Sequence, residues 1–447
     1  MSTGLMARPA PGTRDAIGPA GGTPAAVTGR RRGPLRRVAG LRHTSPGRLQ
    51  LILSALLVLG VLAGLVAGLT ARSAGAGTDD LGNRAQPLLV EAETIYSALA
   101  DADTTAAQAF LAGGLEPVAL TRRYEDDLTR ATTALTAAAR LTPDGSQSAG
   151  AVAALSSGVA QYSALVATAR ADNRQGLPVG SSYLSAASQL NRDTLLHEAQ
   201  TLFGVAQGEV SNGYGNARSI LWVILFALLV VVLLAGLVLA QRYLSRATHR
   251  TFNMPLVAAT ALTVLLGLGS AGILISQNVH LHRAGEQGST PAAELAEARI
   301  LALRERGDEA LELAAHGSGS TYETDFVQAR TQLTAAHGPL SGDYLSTEAV
   351  TAHQTYLNQH QQVRQLDDGG DYGGAVTVAI GPDTTKAFDT VTTDIGTALD
   401  ERKAVFTDEI DSAGNGLGPL TVLGPLVALA VCALAFVGIR ARLEEYR

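Results

Sequence analysis

The sequence predicts an all-α integral membrane protein with four transmembrane helices and two extracytoplasmic four-helix-bundle domains, arranged as an internal duplication. Three observations carry that expectation: four long uncharged apolar runs, an uneven distribution of charge, and segments that recur at near-constant spacing. Residues 49–71, 219–241, 254–276 and 417–439 carry no charged side chain. As helices rising ~1.5 Å per residue, each is long enough to cross ~30 Å of hydrocarbon. Residues 1–48, 241–253 and 440–447 together hold a balance of +12, against −5 for 72–218 and −13 for 276–416. Short Arg-rich segments stay on the cytoplasmic side. Both tails (1–48 and 440–447) and the loop 242–253 are therefore expected in the cytoplasm, and the bundles, 72–218 and 277–416, outside.

The chain opens with a basic tail rich in Gly, Pro, Ala and Arg. It has too few apolar residues to fold, so disorder is expected over 1–48. No cleaved signal peptide is expected, because the first apolar run starts near residue 49 and is too long. The tail would meet anionic membrane lipid or a cytoplasmic partner, or serve as a topology signal alone. Ser45 and Pro46 suit the start of a helix, Ser as cap and Pro where no N–H is needed. Gly60, Gly64 and Gly68 recur every fourth residue of the first span, a stripe on which a second helix can approach closely, within or between chains.

Beyond Arg72 the helical pattern continues. Leu81, Ala85, Leu88, Ala92, Ile95, Leu99, Ala102, Ala106 and Ala109 follow one another by threes and fours, an apolar seam of period 3.5. Gly113, Gly114 and Pro117 end that helix. Further helices are expected over 118–141, about 149–175 and about 180–218, the last running into the second span. Four antiparallel helices, of which the first and last enter the membrane, make an upright bundle.

The second outward region repeats the first. At an offset of 198, Tyr124 and Asp127 fall on Tyr322 and Asp325, and 135–138 fall on 333–336 without a gap. At an offset of 194, Tyr162, Arg170 and Gly176 fall on Tyr356, Arg364 and Gly370. This recurrence implies duplication of a span–bundle–span unit, with Tyr124, Asp127, Tyr322 and Asp325 orienting equivalent helices. Phe388, Val391, Ile395, Leu399, Phe406 and Ile410 mark the buried face of the last bundle helix. Pro419 and Pro425 are expected to kink the span that follows.

No constellation of catalytic, cofactor-binding or metal-ligating residues is found. Gly267, Gly269 and Gly272 match a dinucleotide fingerprint in form alone, since they sit inside an apolar helix with no preceding strand. Cys432, the one cysteine, lies in the last span and is expected to be a packing residue. His353 and His360 are seven apart, and with carboxylates could form a metal site; a solvated helix face is the expected reading. The acidic surplus of the second bundle is likewise expected to be solvated. The polar corner carrying Arg170, Asn173, Gln175, Gly176 and Pro178 is either a partner contact at the bundle end or a turn between helices. Ala-rich, closely packed helices leave little room for a deep pocket, so a protein partner is expected in preference to a free small ligand. Nothing points to nucleic acid, and homo-oligomerisation is left open.

Only two of the 34 basic residues are Lys, Lys386 and Lys403, a bias typical of high-GC actinobacterial coding. Each half resembles the four-helix-bundle sensor domains of bacterial chemoreceptors and sensor kinases. The basic tail, the Ser45-Pro46-Gly47-Arg48-Leu49 entry, the Asn173–Gly180 corner and the doubled plan resemble the GlnX-type membrane proteins of actinobacteria. That resemblance implies a non-enzymatic relay in the cytoplasmic membrane, between an extracytoplasmic glutamine-binding lipoprotein and the cytoplasmic Ser/Thr kinase PknG. It supplies no ligand residues. An accessory or scaffold subunit of a transporter or envelope complex is the alternative. A channel is weakly supported because the spans lack charge.

Overall fold

The computed structural model describes residues 45–113, 116–218, 220–248, 253–315, 320–335 and 344–444. Among these residues there are helices and no strands. The first half contains α1 (Ser45–Asp80), α2 (Gln86–Leu111), α3 (Val118–Leu141), α4 (Gln147–Arg174), α5 (Val179–Leu190), α6 (Leu196–Arg218) and α7 (Ile220–Thr248). The second contains α8 (Met254–Arg283), α9 (Thr290–Ala314), α10 (Ser320–Leu333), α11 (Thr347–Asp368), α12 (Tyr372–Ala379), α13 (Pro382–Gly414) and α14 (Leu417–Glu444). The disorder expected for the tail falls on residues 1–44, outside the described residues.

Single π turns at Leu81–Ala85, Asn191–Leu195 and Ala284–Ser289 join α1 to α2, α5 to α6 and α8 to α9. The first and third each precede a proline, Pro87 and Pro291. A proline inside a helix cannot donate to the carbonyl four residues back, and its ring crowds that carbonyl. An extra residue in the preceding turn absorbs the mismatch, so each rod continues. Gly47–Leu111 is in this way one helix of 65 residues, about 100 Å long at ~1.5 Å per residue. The seam from Leu81 to Ala109 is buried at every predicted position.

Among the described residues five helical stretches are long and apolar enough to cross a membrane: Gly47–Leu111, Gln147–Arg174, Val179–Arg246, Met254–Ala314 and Tyr372–Ala441. Exposed Leu221, Leu239, Leu265, Leu268, Val422 and Leu429 coat α7, α8 and α14. Both observations point to a multi-pass membrane protein. Four of the stretches contain the predicted spans. The fifth is α4, whose Leu155, Tyr162 and Val166 are buried in the first bundle. Helix α7 runs on to Thr248, so Arg242 and Arg246, expected in a loop over 242–253, are helical. Neither Gly nor Pro interrupts that stretch, and Gln241 Nε2 ties α7 to α8 by donating to Leu256 O at 2.9 Å and Thr260 Oγ1 at 2.7 Å.

The glycine stripe packs within the chain, α1 against α14. A Cβ on Gly60 would stand 2.5 Å from Cys432 Sγ, and one on Gly64 2.6 Å from Ala428 Cβ. One on Gly68 would stand 3.2 Å from Pro425 Cγ. Small residues on both helices thus set the approach, and Cys432 fills the gap over Gly60, where its thiol faces Leu57 O at 3.7 Å. Helices α7 and α8 instead diverge around an apolar crevice of about 750 Å³.

In the first bundle α2, α3, α4 and α5–α6 enclose the core, and in the second α9, α10, α11 and α12–α13 do so. The two cores are not separate. Helix α2 packs against α9, and one contiguous cluster of buried apolar side chains runs from Leu99 and Tyr162 to Tyr356 and Val391.

Candidate functional site

The junction of α2 and α9 holds many buried polar and charged side chains. Glu93, Asp101, Asp103, Thr104 and Thr105 of α2 are buried, as are Glu305, Arg306, Asp308, Glu309 and Glu312 of α9. A helix that packs only on its own bundle would present such residues to water. Here α2 and α9 are covered on both sides, so the charges must find partners inside.

They do so largely across the junction. Arg299 of α9 reaches Glu93 at 3.8 Å and Asp101 at 3.7 Å, while Lys403 of α13 reaches Glu93 at 3.5 Å. In the other direction, Arg123 of α3 pairs with Asp389 of α13 at 3.3 Å. Arg192, in the π turn after α5, pairs with Asp308 and lies over the Tyr322 ring at 4.9 Å. Burial raises the Asp101 pKa against the opposing pull of Arg299, Arg123 and Arg130. Burial likewise raises Asp308 to about 6 although Arg192 opposes it. The junction is thus a reciprocal ionic seam, each bundle sending cations into the other's carboxylates.

Behind the seam, the second bundle departs from expectation. His353 and His360 are buried and do not form a solvated pair. His353 Nε2 meets Glu305 Oε2 at 2.9 Å, and His360 Nδ1 meets Glu309 Oε2 at 2.8 Å. Burial alone would lower the His360 pKa, but Glu309 and Glu323 outweigh it and raise it to about 9. The acidic residues of α9 are buried for the same reason: Glu305, Glu309 and Glu312 meet His353, His360 and Arg364 of α11, and Asp308 meets Arg192, all far away in sequence. Arg306 Nη1 donates to Glu309 at 2.7 Å and its Nη2 to Ala379 O at 2.9 Å. Among the described residues no group of three or more His, Cys, Asp or Glu is placed to hold a metal ion.

The predicted corner residues divide into two sets. Arg170 and Asn173 face inward: Arg170 Nε donates to Glu116 at 2.8 and 2.9 Å and its guanidinium lies over the Tyr124 ring. Asn173 Nδ2 donates to Phe110 O at 3.0 Å. Gln175, Gly176 and Pro178 are exposed, with Gly176 at φ +68°, the left-handed conformation that a helix end of this kind favours in glycine. Leu177, Val179 and Tyr183, interleaved with and following them in the chain, are exposed too and give this tip an apolar character. Gly370 ends α11 likewise at φ +82°, and Arg364 fastens that end to Glu312. Of the paired positions, Tyr124 and Asp127 are buried while Tyr322 and Asp325 are half-buried beside Arg192. Sequence reading missed the seam itself. Its only signal was the density of charge on α9, which reads equally as a wet face.

Residues 77–215 match the family model of the actinobacterial sensor domain, covering the first bundle and about a third of the chain. That match supports a sensing role and an actinobacterial sensor protein. No curated protein and no solved structure matches the chain.

Proposed function

We propose that the chain is a signalling relay without catalysis of its own, coupling an extracytoplasmic amino-acid-binding lipoprotein to a cytoplasmic Ser/Thr kinase. In this reading it spans the cytoplasmic membrane four times, with both termini inside. Each half is one copy of a duplicated unit. Helix α4 belongs to the bundle and not to the membrane, since its apolar face is buried and Arg170, Asp172 and Arg174 close it. The duplication is supported by π turns ahead of Pro87 and Pro291 and by Ser146 and Ser346, which cap α4 and α11 through bonds of 3.1 Å.

One observation carries the relay: the helices that form the ionic seam are the same rods that enter the membrane. A shift between α2 and α9 is transmitted along α1 and α8 because no flexible joint lies between. Rearrangement of ion pairs across a bistable seam is a recurrent form of such a switch. The exposed tip around Gln175 is where the lipoprotein would seat, and the corner arginine beneath it holds that tip to the bundle. The resemblance to GlnX-type proteins supplies the identity of both partners.

The test places a photo-crosslinking residue at Tyr183 in cells, beside a kinase-phosphorylation readout. Ligand-dependent capture of a solute-binding lipoprotein, with a kinase response lost in Arg123→Ala, is expected. Failure to capture it with or without ligand, while the response to amino acid persists, would move the protein to the class of primary receptors. Reporter fusions at Gly145 should be active only as exported enzymes; cytoplasmic activity there would overturn the topology.

A further inference from the structure

The apolar crevice of about 750 Å³ between α7 and α8 is bounded by polar ties at both ends. At the end next to the bundles, Gln277 Nε2 donates to Ala217 O and to Thr78 Oγ1, each at 3.2 Å. Toward the far end stand the bonds from Gln241 to Leu256 and Thr260. Ile224, Val231, Leu268 and Ile275 line the crevice and are exposed, so its walls can be reached from outside the chain. Along α7 the lining runs from Ile220 to Leu234, about 21 Å at ~1.5 Å per residue. Beyond it the pair closes: Leu237, Ala240 and Leu244 of α7 and Leu256 and Ala259 of α8 are buried in one cluster with α1 and α14. The crevice thus occupies the part of the two helices nearer the bundles.

Its depth narrows what can fill it. One leaflet with its headgroups is about 20 Å thick, half of the ~40–45 Å of a bilayer. A membrane helix of a second copy would need a groove along the whole ~30 Å of hydrocarbon, whereas this one stops midway, as an acyl chain does. An apolar crevice stays dry, and left unfilled its walls forfeit dispersion contacts. The charge at its mouth narrows the choice further. Arg218 is the one charged residue in the lining, and it is exposed with no ion pair among the described residues. Arg218 follows Ala217 and exposed Asn278 follows Gln277, so the bond between Gln277 and Ala217 sets both at the same end. Guanidinium and amide supply N–H donors for phosphate oxygens. No carboxylate lines the crevice to receive a headgroup ammonium. In the adjoining groove Glu286 is paired with His282 at 3.2 Å, and Glu294 and Glu297 lie farther along the chain.

We propose that this crevice binds an anionic glycerophospholipid from the leaflet nearer the bundles. An acyl chain lies between α7 and α8, and the phosphate meets Arg218 and Asn278. The bound lipid sets the spacing of α7 and α8, which lack the small-residue contact that fixes α1 against α14. The site rests on the multi-pass architecture alone and stands whether or not the relay reading holds.

The experiment uses the full chain in phosphatidylcholine vesicles containing a trace of phosphatidylglycerol with a diazirine in its acyl chain. A phosphatidylcholine probe with the same diazirine is run in parallel, and labelled residues are located by mass spectrometry of peptides. The phosphatidylglycerol probe should label Ile224 and Leu268 several-fold more than Val422 and Leu429 of α14, which are similarly exposed. The phosphatidylcholine probe should label both sets alike. Arg218→Gln should lower the enrichment about fivefold, the effect of one cation near a membrane surface. Ala227→Phe combined with Ala271→Phe, which fills both walls with apolar bulk, should remove it while labelling of α14 persists. Equal labelling of crevice and α14, equal enrichment of the two probes, or enrichment undiminished in the double variant would overturn the proposal. Protection of the crevice from both probes would do so too, and would assign it to a helix of a second copy.

Discussion

Tyr162 and Tyr356 stand 194 residues apart and are both fully buried, yet they meet different chemistry. Tyr162 OH donates to Asp103 Oδ1 at 3.3 Å, beside Ser188, whose hydroxyl donates to the same oxygen at 2.8 Å. Burial raises the Asp103 pKa against the opposing pull of Arg192 and of these hydrogen bonds. Tyr356 instead lies under Arg306 at 5.7 Å, among Glu305, Glu309, His353 and His360. One helical frame thus accommodates two kinds of interior. The first tolerates loss of one hydroxyl, because Tyr162 and Ser188 both donate to Asp103 Oδ1 and one donor remains. The second does not, because each charge there is retained only while its partners remain. The first bundle suits a docking post, and the second a switch.

The largest expected effect is therefore in the second bundle. Arg306→Ala should destabilise the folded chain by about 3–5 kcal/mol, since Glu309 is left buried with less compensation. Ser188→Ala should cost only about 1 kcal/mol. Thermal unfolding of both variants in detergent checks the ratio, and equal shifts would erase the distinction between the bundles.

Next is the effect of pH. His360 binds its proton more tightly folded than unfolded, so its stabilisation is fully present below pH 6.5 and disappears as pH rises through about 9. The loss is on the order of 2–3 kcal/mol. Burial raises Glu312 to about 7 despite Arg364, and this group also binds protons preferentially in the fold, so stability falls between its ordinary value and 7. Unfolding midpoints should decline from pH 6 to 9, and His360→Gln should flatten the upper part of that curve. An unchanged slope in the variant would sink the assignment.

A smaller effect separates the helix pair α1–α14 from the pair α7–α8. Gly64→Ile should cost about 1–3 kcal/mol by overpacking against Ala428. Gly269 has nothing within 4 Å of a built Cβ, so Gly269→Ile should be close to neutral. Similar behaviour of the two variants in assembly and unfolding assays would make the stripe merely compositional. The smallest change is at the corner: Gln175→Ala should move stability by less than about 0.5 kcal/mol. Arg170→Ala, which frees buried Glu116, should move it more.

Much of the fold was legible because local rules produce it. Periodicity over 81–109 located the buried seam, Gly113 and Gly176 located helix ends at φ +66° and +68°, and the glycine stripe anticipated close packing. The corner was recognised, but not that Arg170 and Asn173 turn inward while Gln175 and Pro178 turn out. Two prolines inside helical pattern, Pro87 and Pro291, were the unread signals for the π turns.

What the sequence by itself determined is whatever depends on neighbours along the chain: apolar runs long enough for a membrane, helix boundaries, and which face of each helix is apolar. What only the tertiary structure decided is the fate of the charged faces. Whether Glu305, Asp308 and Glu309 meet water or meet His353, Arg192 and His360 depends on α9 meeting α11 within its own bundle and Arg192 of the other, contacts between groups 48 or more residues apart. A carboxylate on a helix has the same sequence signature whether solvated or buried, because its energy is set by a partner and a dielectric that only packing supplies.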